Sequence, residues 1–218
     1  MLELTIMNFR NSVKAFTNAP LNRLVILDML KDYKRPNDKI SDLIKNGDLI
    51  QLKKGLYVPG VSLDVAGPEL FVIANHLWGP SYVSLESAMS YWGLIPERVY
   101  QVSSITLKLS KKYKTPKGIF SYRAMPFPYY SFGTLSVELS PRQVAVIATP
   151  EKALCDKIIT TSGLILRSRA QTLGFLLDDL RMDRALLGKF DLKALSLWIK
   201  DAPKNESLRI LVKTLEKI

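Results

Sequence analysis

Seven polar residues at helical and turn spacing are the part of this sequence best suited to chemistry with an anionic partner. These side chains are Arg35, Asn37, Lys39, Ser41, Lys45, Lys53 and Lys54. Guanidinium, amide, hydroxyl and ammonium groups hydrogen-bond to the edges of bases or to phosphate oxygens. Their types therefore predict a surface that contacts double-stranded DNA.

The apolar residues between these polar positions predict the elements that hold them. Ile40, Leu43 and Ile44 lie at i, i+3 and i+4 and would line one face of a helix that stops at Asn46-Gly47. Upstream, Leu21–Tyr33 is predicted to form a preceding helix. Its expected core stripe is Leu24, Leu27 and Leu30.

A β-hairpin is predicted directly after the polar helix. Apolar residues from Leu49 to Leu52 and from Leu56 to Val58 flank the turn Lys53-Lys54-Gly55. A helix followed by a basic hairpin is typical of a winged helix-turn-helix, in which the helix enters the major groove and the hairpin contacts the neighbouring backbone. We therefore expect residues 1–60 to form a winged helix-turn-helix DNA-binding domain.

Composition limits the class of protein. The 218 residues carry 31 Lys and Arg against 20 Asp and Glu, a formal charge of +11, which favours an anionic partner. The one cysteine, Cys155, permits no intrachain disulfide and favours a reducing cytoplasm. The sequence shows no secretion signal at its start and no apolar run of about 20 residues, so no membrane association is expected.

Residues 61–218 predict a second, mixed α/β domain, which makes the chain an α+β protein. Val99–Leu109 and Gly118–Met125 are expected to pair as a hairpin, joined by Ser110–Lys117 with its four lysines. This connection is either a solvated hairpin tip or a second contact with an anion. Thr149-Pro150-Glu151 is a helix start, and from about residue 164 the chain reads as a helical tail.

Three segments in the same order resemble the AbiEi-type antitoxins. They are Asp38–Val58, Gly79–Val99 and Ala148–Lys157. This resemblance implies an N-terminal winged helix, a larger C-terminal antitoxin domain, repression of the protein's own operon and neutralisation of a nucleotidyltransferase-type toxin, in a toxin–antitoxin system of bacteria or of phage defence. Basic residues predicted to contact an acidic surface of such a toxin are Lys111, Lys112, Lys114, Arg167 and Arg169.

Catalytic chemistry has little support in this sequence, and we expect no enzyme, cofactor or metal site. His76 is the only histidine and is expected to be a core or interface residue, whereas Cys155 is expected to be buried and inert. No Gly-rich phosphate loop is present. A metal-dependent nuclease would need Asp-x-Lys on a strand, and Asp32-Tyr33-Lys34 and Asp191-Leu192-Lys193 fall in predicted helices. Two alternatives to the repressor remain: an antitoxin or adaptor that binds protein and not DNA, and, with less support, a metal-dependent nuclease.

Overall fold

The computed structural model describes residues 2–218, with side chains from Phe9 onward. The α+β class is confirmed, with helices and two sheets in the described residues. The helices are α1 (Leu2–Ala15), α2 (Arg23–Met29), α3 (Pro36–Lys45), α4 (Leu70–Leu77), α5 (Leu85–Tyr91), α6 (Pro150–Thr160), α7 (Arg169–Leu173), α8 (Arg184–Leu187), α9 (Leu192–Ile199) and α10 (Asn205–Leu215). The strands are β1 (Leu21–Asn22), β2 (Leu49–Lys53), β3 (Leu56–Pro59), β4 (Ser81–Val83), β5 (Gln101–Thr106), β6 (Lys111–Thr115), β7 (Gly118–Ala124), β8 (Thr134–Ser140) and β9 (Gln143–Ala148).

The first part of the chain, from α1 to β3, is here called the head. Its three strands form an antiparallel sheet in the order β1-β3-β2. The α3 helix has the predicted apolar face, with Ile40 and Leu43 buried, and it stops at Gly47 (φ +77°). Arg10 of α1 donates to the buried Asp48 Oδ1 over 2.9 Å. This ion pair fixes α1 against the junction between α3 and β2.

The predicted core stripe of the second helix is confirmed at Leu30, which is buried, and at Leu27, which is half-buried against the head core, and it is wrong at Leu24. Asn22 caps α2, its Oδ1 accepting from the Val25 amide at 3.0 Å, so the helix begins at Arg23 and not at Leu21. Leu21 instead pairs with Tyr57 as strand β1. Because the helix starts later, Leu24 is 76% exposed, and Ile26 is the fully buried residue.

The hairpin β2–β3 lies between two apolar cores. Tyr57 packs into the core of the head, whereas its neighbours Leu56 and Val58 pack into the core of the remaining chain, here called the body (residues 66–218). Successive residues of a strand point to opposite faces, so β3 can bury both of its faces. Head and body therefore share a strand.

The body sheet has six strands in the order β6-β7-β5-β4-β9-β8. The predicted hairpin between Val99–Leu109 and Gly118–Met125 is wrong, because β5 and β7 are parallel and β6 is the antiparallel partner of β7. The segment with four lysines is therefore mostly an edge strand and not a hairpin tip. Along β6, Tyr113 points to the face opposite that of Lys112 and Lys114, because successive side chains of a strand alternate. Tyr113 packs edge-on against Tyr122, with ring centroids 6.1 Å apart.

Helices cover both faces of this sheet. On the α4 face, Tyr122 donates to the Ala74 carbonyl over 2.7 Å. On the other face, Ser87 of α5 accepts from the Ser103 amide at 2.8 Å. The predicted helical tail is present from α7 to α10, and α7 continues into a π-helical turn at Gly174–Asp179.

A buried ion pair joins four elements of the body. Lys152 and Asp156, one turn apart on α6, are fully buried, with Nζ and Oδ1 3.2 Å apart. Lys152 also donates to the Tyr129 carbonyl over 2.9 Å. Asp156 Oδ2 accepts from Tyr82 Oη at 3.0 Å and from Ser84 Oγ at 2.7 Å. Ser84 thus lies at the N-cap position of α5, but its hydroxyl bonds to Asp156 and not to the helix.

Removing either charge of this pair should destabilise the protein strongly. We expect Lys152→Met and Asp156→Asn each to lower the free energy of unfolding by about 3–5 kcal/mol, because the remaining charge stays buried without a partner. The double variant should lose less than the sum of the two, since neither charge remains. Urea denaturation of the four proteins measures this coupling.

The exposed pair of Arg209 and Glu206 provides the control for this experiment. Arg209→Ala should cost about 0–1 kcal/mol, because water screens exposed charges. If the two buried substitutions cost no more than this control, the ion pair does not organise the body.

Candidate nucleic-acid interface

The polar face of α3 lies on the surface of the head. The apolar face of the helix is buried, so its opposite side is left to solvent. Four of the five DNA contacts predicted on this helix are exposed: Arg35, Asn37, Ser41 and Lys45. The fifth, Lys39, is half-buried. The helix starts with Pro36 at its first position, where a missing amide hydrogen costs nothing.

Asn37 is positioned by a residue that sequence reasoning missed. Arg23, the first residue of α2, donates from Nη2 to Asn37 Oδ1 over 2.6 Å. This bond occupies the amide oxygen and leaves the amide NH2 group to donate. An NH2 group in a major groove can donate to purine N7 or to a carbonyl oxygen of a base. The signal for Arg23 in the sequence was its place beside the capping Asn22.

Lys39 is also held by a neighbour, because its Nζ lies 5.5 Å from the ring centroid of Tyr33. A cation over an aromatic face is attracted by the ring's negative centre and is thereby oriented. Two carboxylates share the helix surface: Asp38 lies 3.9 Å from Arg35, and Asp42 is exposed. The α3 surface is thus mixed in charge, which suits hydrogen bonding to particular bases more than general attraction to phosphate.

The two lysines of the hairpin have different environments. Lys54 is exposed at the tip, where Gly55 has a φ of +83° and closes the turn. Lys53 is half-buried and donates from Nζ to the Leu77 carbonyl of the body over 2.5 Å. Lys54 therefore has its ammonium group in solvent, and Lys53 holds the hairpin against the body.

Three lysines meet around Trp78 at the junction of head and body. The Nζ atoms of Lys53, Lys108 and Lys111 lie 5.9, 5.0 and 4.5 Å from the indole ring. Burial lowers the pKa of Lys53, and the charges of Lys108 and Lys111 lower that pKa further. Among the described residues, no carboxylate forms an ion pair with any of these three lysines. The junction is therefore a concentrated positive patch, here called the Trp78 patch.

The residues predicted to bind a protein partner lie on separate elements. Lys111, Lys112 and Lys114 are exposed on the edge strand β6, and Lys111 is turned onto Trp78. Arg167 precedes α7 and is exposed. Arg169, at the start of α7, donates to the Lys217 carbonyl over 3.1 Å. Lys53, a predicted DNA contact, and Lys111, a predicted contact with the protein partner, both lie against the Trp78 ring. The sequence did not indicate this proximity.

The remaining expectations on chemistry concern His76, Cys155 and metal ligands. His76 is exposed and its Nδ1 lies 2.9 Å from the Val72 carbonyl, so a core position is wrong, whereas an interface position stays a prediction. Cys155 is buried, as expected, and burial raises the pKa of its thiol. The described side chains, from Phe9 onward, include no cluster of three or more potential metal ligands, and no helix within residues 2–218 is long and apolar enough to cross a bilayer. Neither Asp-x-Lys string lies on a strand.

Known proteins resemble this chain in structure and not in sequence. No family model matches the chain, and no curated protein matches it. The fold is similar to that of the RV2827C protein from Mycobacterium tuberculosis, with a TM-score of 0.63 and 13% sequence identity over 97% of this chain and 77% of that one. At this identity the similarity shows a shared fold.

The pKa of Lys53 should respond to its two lysine neighbours. Replacing both Lys108 and Lys111 with Gln should raise the pKa of Lys53, because like charges disfavour the ammonium form. NMR titration of labelled lysine side chains measures this shift. Lys114→Gln on the same strand is the control and should leave the pKa of Lys53 unchanged. A Lys53 pKa that is the same in all three proteins would contradict the close approach of these ammonium groups.

Proposed function

We propose that this protein is a cytoplasmic DNA-binding transcriptional repressor whose head is a winged helix-turn-helix. The observation that carries the proposal is the exposed polar face of α3 beside the exposed hairpin lysine Lys54. The element order of the head, α1-β1-α2-α3-β2-β3, has the helix with the exposed polar face directly before a two-stranded hairpin, which is the order that the proposal requires. The net charge of +11 supports an anionic partner.

In this mechanism α3 enters the major groove and the hairpin contacts the backbone beside it. The amide NH2 of Asn37, oriented by Arg23, is the donor that we assign to a base edge. Lys54 would neutralise a phosphate. Lys53 keeps the hairpin at a fixed angle to the body through Leu77, so the wing would approach the DNA without first having to be ordered.

A second role, as the antitoxin of a toxin–antitoxin pair, rests on the resemblance of three sequence segments to the AbiEi-type antitoxins. Two of these segments meet in the body, where Ser84 bonds to Asp156. The proposed partner is a toxin of nucleotidyltransferase type, and the proposed contacts are the exposed basic residues Lys114, Arg167 and Arg169. Charges across such an interface mainly speed encounter and select the partner. Binding to protein alone, without DNA, is the competing function.

Substitution of Asn37 should weaken sequence-specific binding. Asn37→Ala is expected to cost about 1–3 kcal/mol of binding to the promoter of the protein's own operon, the range for a good contact with a base. The same substitution should change binding to unrelated DNA little, because non-specific affinity comes from phosphate contacts. Gel-shift titration at one fixed salt concentration measures both affinities.

The matched control is Lys189→Ala, which removes an exposed charge from the body. It should leave promoter affinity unchanged. A quadruple variant, with Arg35, Asn37, Lys39 and Lys45 all replaced by Ala, should lose specific binding. Wild-type affinity in that variant, with its fold intact by circular dichroism, would reject α3 as the recognition helix.

The antitoxin role should survive the loss of DNA binding. We expect the full-length quadruple variant to neutralise the nucleotidyltransferase encoded beside it, because the proposed contacts lie on the body. Co-expression of the two proteins, scored by bacterial growth, is the measurement. Charge reversal of Lys114, Arg167 and Arg169 to Glu should slow association of the purified proteins, most strongly at low salt.

The outcomes of this experiment separate the two roles. Growth with wild type but not with the quadruple variant would mean that neutralisation needs the head. Failure of wild type to restore growth would reject the antitoxin role and leave the repressor proposal in place.

A further inference from the structure

A polar cleft in the body lies apart from the α3 surface. The cleft has a volume of about 630 Å³. Strands β5, β6 and β7 line one side of it, and helices α5 and α6 line the other. The side chains that matter for its chemistry are Ser103, Ser121, Lys112, Arg123, Lys157 and Glu86. This volume falls within the usual range for small-ligand sites.

The floor of the cleft is a row of side chains across three strands. Ser103 of β5 pairs with Ser121 of β7, and Ser121 pairs with Lys112 of β6. Side chains of paired residues lie on the same face of a sheet. The hydroxyls of Ser103 and Ser121 are 3.2 Å apart, which confirms their shared direction. Arg123, two residues beyond Ser121 on the same strand, lies on this face as well.

The two serines leave one hydroxyl hydrogen available. One of their two O–H groups forms the bond between Ser121 and Ser103, and the other has no acceptor among the described residues. Ser103 is 2% exposed, so this polar group is at the bottom of the cleft and not on an open surface. A buried donor without an acceptor costs free energy unless a ligand or water provides one.

The charges in the cleft are unbalanced. Lys157 forms an ion pair with Glu86 at 2.5 Å. Lys112 and Arg123 are exposed, and neither forms an ion pair with a described residue. The cleft therefore contains three cations and one carboxylate among these side chains.

The opposite face of the same strands has a different chemistry. There Tyr113, Phe120 and Tyr122 alternate with the cleft residues, and Phe120 and Tyr122 are buried in the apolar core. A sheet of this kind usually packs helices on both faces through apolar side chains. The serines and cations thus mark the part of the sheet face that α5 and α6 leave uncovered.

We propose that this cleft binds the phosphoryl group of a small phosphorylated ligand. Lys112 and Arg123 would neutralise the phosphate charge, with the Arg123 guanidinium able to hold two of its oxygens at once. The free hydroxyl hydrogen of the serine pair would donate to a third oxygen at the floor. Lys157, held at the rim by Glu86, would remain a second source of positive charge for a ligand with two phosphates.

The shape of the cleft favours a small ligand over a nucleic-acid backbone as the source of the phosphate. The donor hydroxyl lies on a buried residue at the floor, between a sheet and two helices. A double helix presents its phosphates on a convex surface, whereas a cleft of this size encloses a small ligand. The α3 surface and the cleft are therefore proposed as two separate anion sites.

The test uses the full-length protein and pyrophosphate as the probe. Isothermal titration at constant ionic strength, with chloride as the competing anion, should detect pyrophosphate binding. The double variant Lys112→Gln, Arg123→Gln should weaken that binding about tenfold or more, because two charged hydrogen bonds are lost. The matched control, Lys114→Gln, removes an equal type of charge from the same strand outside the cleft and should bind pyrophosphate as wild type does.

Promoter affinity of the double variant distinguishes the two sources of phosphate. Unchanged promoter binding together with lost pyrophosphate binding supports a small-ligand site. A parallel loss of both would overturn the proposal, because the cations would then serve the DNA backbone. Equal weakening by Lys114→Gln, or no pyrophosphate binding by wild type, would also overturn it. The pyrophosphate titrations do not depend on whether α3 binds the promoter, which the Asn37→Ala titration measures separately.

Discussion

The organisation of the body depends on a pair of opposite charges placed entirely out of water. Lys152 and Asp156 are one turn apart on α6, and each charge would be very costly to bury alone. The cost is offset by their mutual attraction and by three hydrogen bonds, from Tyr82 and Ser84 to Asp156 and from Lys152 to the Tyr129 carbonyl. A strand, a helix start and a turn are thereby held at fixed positions around α6. A buried pair of this kind specifies one arrangement more than it adds stability.

The same logic of shared contacts joins the head to the body. Strand β3 contributes Tyr57 to one core and Leu56 and Val58 to the other, so neither core is complete without it. Lys53 adds a hydrogen bond across the junction to the Leu77 carbonyl. The hairpin β2–β3 is consequently part of the interface between head and body. In the proposed repressor, the angle at which the wing meets DNA is therefore set by the body, and a ligand that altered the body could change that angle.

The lysine and arginine side chains of this protein differ in how deeply they are buried and in which groups they contact. One lysine, Lys152, is buried and fully paired, and Lys204 donates to three carbonyls at the end of α6 and beyond. Lys53 shares the half-buried Trp78 patch with two other lysines. Other cations, such as Lys54 and Arg123, are exposed and form no ion pair with a described residue, whereas Arg10, Lys157 and Arg209 each pair with a carboxylate. Net charge could not distinguish these cases, because it assigns the same value to a structural lysine and to one available for an anion.

Local sequence determined the elements whose signals lie within a few residues. The apolar spacing of α3, its glycine stop, the hairpin turn and the Thr149 cap of α6 were predictable because helix periodicity, capping and turn chemistry are short-range. The exposed polar face of α3 followed directly from that spacing. Tertiary structure decided what depends on distant partners. The lysine-rich segment is an edge strand because it forms backbone hydrogen bonds with β7. Ser84 and Lys53 hydrogen-bond to Asp156 and to the Leu77 carbonyl, which lie 72 and 24 residues away in the sequence. Such contacts leave no periodic trace in the sequence, since they are set by which surfaces meet when the chain packs.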